Sequence, residues 1–164
     1  MRVYTTIEQV QQLPCFHREV IPETYIDIMG HVNIRHYLAL FDEGGWKFFA
    51  SIGMDENYYR ENHAGGFALR HFITYVNEVR VGETVAVHIR FLARSEKRIH
   101  FMGFLVNETT QAVAATLEAL GTHADMKIRR TSPYPQQLRE KFDAIIAEHQ
   151  KLDWEAPVCG ILKP

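Results

Sequence analysis

Cysteine is scarce in this 164-residue chain: Cys15 and Cys159 are the two present. They stand far apart and in no metal-binding or redox spacing, so inert thiols in a reducing compartment are expected. Neither sign of charge is in excess. Lys plus Arg number 18 and Asp plus Glu 20, a net −2 that leaves no electrostatic footprint for nucleic acid. No apolar run reaches membrane length, and the opening MRVYTTIEQVQQLP has neither the apolar centre nor the cleavage site of a signal peptide. A cytoplasmic protein with no membrane or nucleic-acid partner is the expectation. Repeats, low-complexity tracts and long linkers are missing too, so one domain over residues 1–164 is expected. Whole chemistries lack their signatures: no G-x-S-x-G elbow, no glycine-rich phosphate loop, no H-E-x-x-H. Nine histidines do not replace the last of these. His31 and His36 are five apart, off one helical face, and His71, His88 and His100 fall on separate strand-like runs, so no metal is expected.

What is present is an ordinary globular composition, 46% hydrophobic and 23% charged. Residues 5–13 read as a short helix, with Thr5 and Glu8 at capping-box spacing and Pro14 as its stop. CFHREVIP, residues 15–22, reads as a strand. A long helix starts near Asn33, with Ile34, Tyr37, Leu38, Phe41, Gly45, Phe48 and Ile52 as its apolar stripe. Glu43 and Lys47 on the other side have the favourable i,i+4 order. Gly44-Gly45 inside a helix costs about 0.8–1 kcal/mol each against Ala, which implies that a sheet, a second subunit or a ligand packs close there. After a loop containing HAGG, strand-like runs cover residues 67–81, 84–93, 99–106 and 112–124, the third apolar on both faces. The short turns VGET, RSEKR and NETTQ between them predict an antiparallel meander. Ser132-Pro133 reads as an N-cap with proline at the first helical position, opening a C-terminal helix over about 134–150. One apolar helix and one sheet must cover each other, an α+β arrangement.

The turn Asp27-Ile28-Met29-Gly30-His31-Val32-Asn33 crowds a carboxylate, a glycine, an imidazole and an amide at the start of that helix. Its plain reading is structural, because Asp, Gly and Asn are ordinary turn and helix-start residues. The chemical reading uses the same features. A helix N-terminus presents unpaired N–H groups and a positive dipole end, which can hold a developing oxyanion. Asp27 just upstream can act as nucleophile or general base, Gly30 lets backbone approach a ligand, and His31 and Asn33 can orient a carbonyl or a water. That is equipment for acyl transfer without serine.

The pattern D-x-x-G-H-V-N-x-x-x-Y, from Asp27 through Gly30, His31, Val32 and Asn33 to Tyr37, resembles the signature of hotdog-fold acyl-CoA thioesterases of the 4-hydroxybenzoyl-CoA type. FDEGG stands where that family often has a Phe-Glu-Glu-Ala-Arg-like run, and the looser likeness extends over about residues 14–130. The resemblance implies an antiparallel sheet wrapped around the long helix, and a homodimer or dimer of dimers with sites at the subunit interface. It maps the chemistry to Asp27 and the oxyanion donor to the backbone amide of Ile34. A related branch uses a helix carboxylate, for which Glu43 is the candidate; a solvated partner of Lys47 is its plainer reading. Coenzyme A enters as part of the substrate, and no separate cofactor is implied. Ile34 and Gly44-Gly45 depart from the family's usual residues and leave the substrate open.

GHVNIRHYLALFDEGGW is further similar to thioesterases associated with carnitine breakdown, whose thioester would carry a trimethylammonium group. Trp46, beside the glycine pair, is then a candidate cation–π contact, and Tyr37 a further lining residue. Of the basic clusters, Arg94, Lys97 and Arg98 are candidates for the nucleotide phosphates, with simple solvated charge as the plainer reading. Two other functional classes remain open on the same fold: hydratase or dehydratase chemistry, and a non-catalytic acyl-thioester binding module.

Overall fold

The structure is a computed structural model that describes residues 5–164. Its first helix, α1 (Ile7–Val10), is shorter than expected and capped one residue later. The Thr6 hydroxyl accepts from the Gln9 amide and the Gln9 side chain accepts from the Thr6 amide, so the capping box is Thr6/Gln9, not Thr5/Glu8. β1 (Cys15–Val20) and one 3-10 turn (Glu23–Tyr25) lead to the long helix α2 (Ile34–Ser51). Where a loop was expected, Asp55 caps a further helix, α3 (Glu56–Glu61), by accepting from the Tyr58 amide at 2.9 Å. The HAGG stretch then opens β2 (Ala64–Tyr75) instead of belonging to a loop. β3 (Thr84–Arg94), β4 (Arg98–Asn107) and β5 (Ala112–Asp125) follow near the expected bounds, and then a two-residue β6 (Arg130–Thr131) and α4 (Gln136–His149).

The sheet order is β1-β3-β4-β5-β2, with β6 on β5. β3, β4 and β5 are neighbours in sequence order, as predicted. The four-strand meander is not what forms, because β2 lies beside β5 and the edge of β3 is taken by β1, antiparallel from Cys15↔His88 to Val20↔Thr84. The link after β2 shows why VGET is no hairpin. The amides of Val76 and Asn77 both end on the Ala114 carbonyl, at 2.8 and 3.0 Å. Val79 then leaves the ladder, its carbonyl accepting from the Val32 amide at 2.8 Å.

The chain clusters into two compact units. The first runs through Lys47 and adds Ile73–Ile89 and Gly103–Leu117. Its helical core face is Tyr37, Leu40, Phe41 and Gly44. Ile34 and Leu38, expected in the stripe, are exposed on its flank: at 100° per residue the buried set spans about 100° from Leu40 to Phe41, and these two lie about 20° and 60° beyond its Phe41 edge. A Cβ on Gly44 would come within 2.4 Å of Val87 Cγ1, so the close neighbour inferred from the glycine pair is β3. A Cβ on Gly45 would meet nothing within 4 Å. His88 on β3 is buried and donates from Nδ1 to the Leu13 carbonyl at 2.8 Å; desolvation pulls its pKa below the ordinary value.

The second unit holds Phe48–Phe72, Arg90–Met102 and Glu118–Pro164. Phe91 is its ring hub, 4.6 Å from Phe48 and 5.5 Å from Phe142 of α4. α4 buries Leu138, Phe142 and Ile146, which recur at the i, i+4, i+8 spacing of one helix face. It starts at Gln136 with Pro135 at the cap position, not at Ser132-Pro133. Ser132 is engaged elsewhere: its hydroxyl meets His123 Nδ1 at 2.9 Å, while Tyr58 meets Nε2 at 2.8 Å. Two charged residues are buried here with partners. Arg90 donates to the carbonyls of Trp154 and His149 and lies 4.3 Å over the Trp154 ring. Glu118, 1% exposed, pairs with His100 at 2.8 Å and accepts the Cys159 amide at 2.6 Å. Among the described residues no helix is long and apolar enough to cross a membrane.

Candidate active site

The turn ahead of α2 is held by its own backbone. The Asp27 amide donates to the His31 carbonyl and the Gly30 amide to the Asp27 carbonyl, both at 3.0 Å. Gly30 supplies the positive φ of 82° that this closure needs. The Asn33 amide donates to the Tyr25 carbonyl at 2.8 Å. Within this frame Asp27 Oδ1 accepts from the Met29 amide at 2.8 Å, and Oδ2 accepts from Asn33 Nδ2 at 3.3 Å.

Asn33 therefore does two things. Its Oδ1 caps α2 by accepting from the Arg35 amide at 3.2 Å, and its Nδ2 orients the Asp27 carboxylate. The Ile34 amide is the first of the helix, at the end where N–H groups lack intrahelical acceptors and the dipole is positive. The structure thus brings Asp27, Asn33 and the head of α2 together. His31 stays in the same turn, its Nδ1 3.8 Å from Glu78 Oε2. Tyr37, one turn into the helix, is buried, and Tyr75 packs edge-on against it at 5.0 Å and 86°. The Tyr37 hydroxyl oxygen accepts from the Val79 amide, while burial, then Tyr75, push its pKa up.

Other expected residues lie elsewhere. Glu43 and Trp46 stand nine and twelve residues past Ile34, which at 1.5 Å per residue is about 14 and 18 Å along the axis. Within one chain neither shares a small acyl group with the Ile34 amide. Lys47 donates to His17 Nδ1 at 2.7 Å, and His17 Nε2 meets Glu19 at 3.1 Å. This polar row continues through Glu19 to the Tyr25 hydroxyl, and the Tyr25 ring stacks on His36 at 4.0 Å. In the second unit, Arg94 is committed to Asp143, with Nε to Oδ1 at 2.7 Å. Lys97 and Arg98 are exposed at the β3–β4 turn. Among the described residues no group of three His, Cys, Asp or Glu is arranged to hold a metal.

Sequence reasoning did not single out Tyr25, Tyr75 or Glu78. The readable signal was there, a carboxylate three residues after a tyrosine. Its closeness to the turn follows from the Val32–Val79 hydrogen bond, which the expected hairpin did not contain.

The sequence model of the thioesterase-like superfamily matches residues 21–142. A Rhizobium meliloti protein named L-carnitine dehydrogenase/betainyl-CoA thioesterase is 29% identical, over 79% of this chain and 26% of its own length. The chain thus spans about a quarter of the first curated relatives it matches. A Pseudomonas aeruginosa protein named betainyl-CoA thioesterase is 25% identical over 87% of this chain and 89% of its own. Among solved structures, a hypothetical protein of Staphylococcus aureus in complex with CoA superposes with a TM-score of 0.82 at 19% identity, over 93% and 96% of the two chains. A Thermus thermophilus thioesterase complexed with coenzyme A and Zn gives 0.69 at 18% identity, over 82% and 96%. These likenesses establish the fold as α+β of the hotdog type.

Proposed function

Because this chain belongs to the thioesterase-like superfamily, we propose that it hydrolyses a small acyl-CoA thioester to the free acid and CoA. The observation that carries the reading is the Asn33-oriented Asp27 carboxylate at the head of α2. With the thioester carbonyl at the Ile34 amide, Asp27 takes a proton from water as its oxygen adds to the carbonyl carbon. The oxyanion that forms meets the helix N–H groups, and its collapse breaks the C–S bond. The proton passes to the departing CoA sulfur. Direct attack by Asp27, giving an anhydride that water then opens, uses the same geometry. The names of the curated relatives favour an acyl group bearing a trimethylammonium, betainyl above all. Coenzyme A is part of that substrate.

The test is thiol release from a panel of acyl-CoAs, betainyl-CoA included, followed with a colorimetric thiol reagent. Turnover on a small acyl-CoA is expected. Hydration without thiol release, or binding without turnover, would instead establish the hydratase or the binding-module reading.

We infer that the working form is a homodimer or a dimer of dimers. β2 ends the strand path and is exposed on both faces, with Phe67, Leu69 and Phe72 among its exposed residues. An edge strand this long and apolar is a template for pairing, and the β2 of a second copy covers it at least cost. Sedimentation at micromolar concentration is expected to show a species of at least twice 19.0 kDa. A 19.0 kDa species alone would overturn the assignment.

A further inference from the structure

In a betainyl thioester one methylene separates the reacting carbonyl from the quaternary nitrogen, a distance of about 2.5 Å at ordinary bond lengths. Whatever reads that charge must therefore line the Asp27 turn itself. Trp46, about 18 Å down the helix axis from Ile34, cannot do so in the same chain. A quaternary ammonium has no N–H to donate, so it is recognised by negative charge and by the faces of aromatic rings.

Both lie beside the turn. Glu78 is fixed through Oε1, which accepts from Arg80 Nε at 3.0 Å. Its other oxygen, Oε2, is the one turned to His31, at a distance longer than a hydrogen bond. The Tyr75 ring is held edge-on by the buried Tyr37, yet is itself 48% exposed. Tyr75 packs on Tyr37, and Glu78 immediately precedes Val79, whose carbonyl accepts from the Val32 amide of the turn. The Val79 amide donates to the Tyr37 hydroxyl oxygen and the Val79 carbonyl accepts from the Val32 amide, so one residue ties Tyr37 to the Asp27 turn.

We propose that Glu78, with the Tyr75 ring, is the specificity determinant that receives the cationic end of the acyl group. This rests on the thioesterase reading above, and it places a countercharge that an uncharged acyl group would not use. Arg80 is the competing cation, but it holds the oxygen away from His31 and so orients the carboxylate more than it fills the site.

The experiment compares kcat/KM for betainyl-CoA with that for 3,3-dimethylbutanoyl-CoA, its uncharged isostere. The wild-type protein is expected to prefer the charged substrate. Glu78→Gln is expected to lower kcat/KM for betainyl-CoA about five- to tenfold and to leave the isostere unchanged. Tyr75→Leu is expected to act in the same direction, by several-fold. Unchanged turnover of the isostere shows in the same assay that the fold and the Asp27 turn are intact. A wild-type protein that hydrolyses both equally, or neither, refutes the cationic-substrate reading and this assignment with it. A wild-type preference that survives Glu78→Gln refutes the assignment alone. Equal losses on both substrates would make Glu78 a structural support of the turn and overturn it as well.

Discussion

Asp27→Asn is expected to lower kcat by two orders of magnitude or more, about 3 kcal/mol of barrier, with the fold intact. The amide keeps an oxygen to accept from the Met29 N–H, so the turn retains its principal side-chain bond. It gives up the weaker 3.3 Å contact with Asn33. What it loses chemically is total, because an amide neither takes the proton from water nor attacks the carbonyl. Thiol release alongside a thermal melt checks both halves. Near wild-type kcat in this variant would remove Asp27 from the chemistry. Glu43→Gln is the companion measurement and is expected to be close to wild type, given the axial separation of about 14 Å from the Ile34 amide. Abolished activity there would move catalysis to the helix carboxylate.

Gly44→Ala and Gly45→Ala are expected to shift stability in opposite directions. Both gain about 0.8–1 kcal/mol of helix propensity. Only the first adds a Cβ 2.4 Å from Val87 Cγ1 and 2.8 Å from Val87 Cβ. A new rotamer relieves the first of these clashes. The second requires α2 and β3 to move apart, an overpacking cost of about 1–3 kcal/mol. Gly45→Ala meets nothing within 4 Å and keeps its gain. In the difference between the two variants the propensity terms cancel, leaving the clash alone. Urea unfolding of the two variants measures it, and Val87→Ala in the Gly44→Ala background is not expected to restore the loss, because the Cβ contact at 2.8 Å remains. Equal stabilities for the two alanine variants would mean that α2 does not need its close approach to β3.

The features legible in the sequence are those set within a few residues. α2 starts at Ile34 after Asn33 because the cap is a local hydrogen bond between neighbours in the chain. Asp27, Gly30 and Asn33 could be grouped as one turn for the same reason. The extents of β3, β4 and β5, and the two-sided burial of β4, follow from runs of apolar residues whose period the chain carries itself. Local signals were ambiguous where a neighbouring or a distant group competed for the same cap. Thr5 and Thr6 competed for one cap, and Ser132-Pro133 looked like a cap until Ser132 found His123.

Tertiary structure decided what depends on partners distant in the chain. β2 pairs with β5 and not with β3, since the edge of β3 is already filled by β1 from the other end of the sequence. That single choice carries Glu78 to the Asp27 turn, and no property of residues 75–78 alone specifies it. Gly44 and Gly45 are indistinguishable as letters, yet Val87 approaches only one of them. Arg90 and Glu118 are buried, and they are tolerated because Trp154 and Cys159, residues of the C-terminal segment, supply backbone partners. A local hydrogen bond is specified by the few residues that make it. Which surface meets which is settled by the free energy of burying whole faces together, and that sum has no short stretch of sequence to stand in for it.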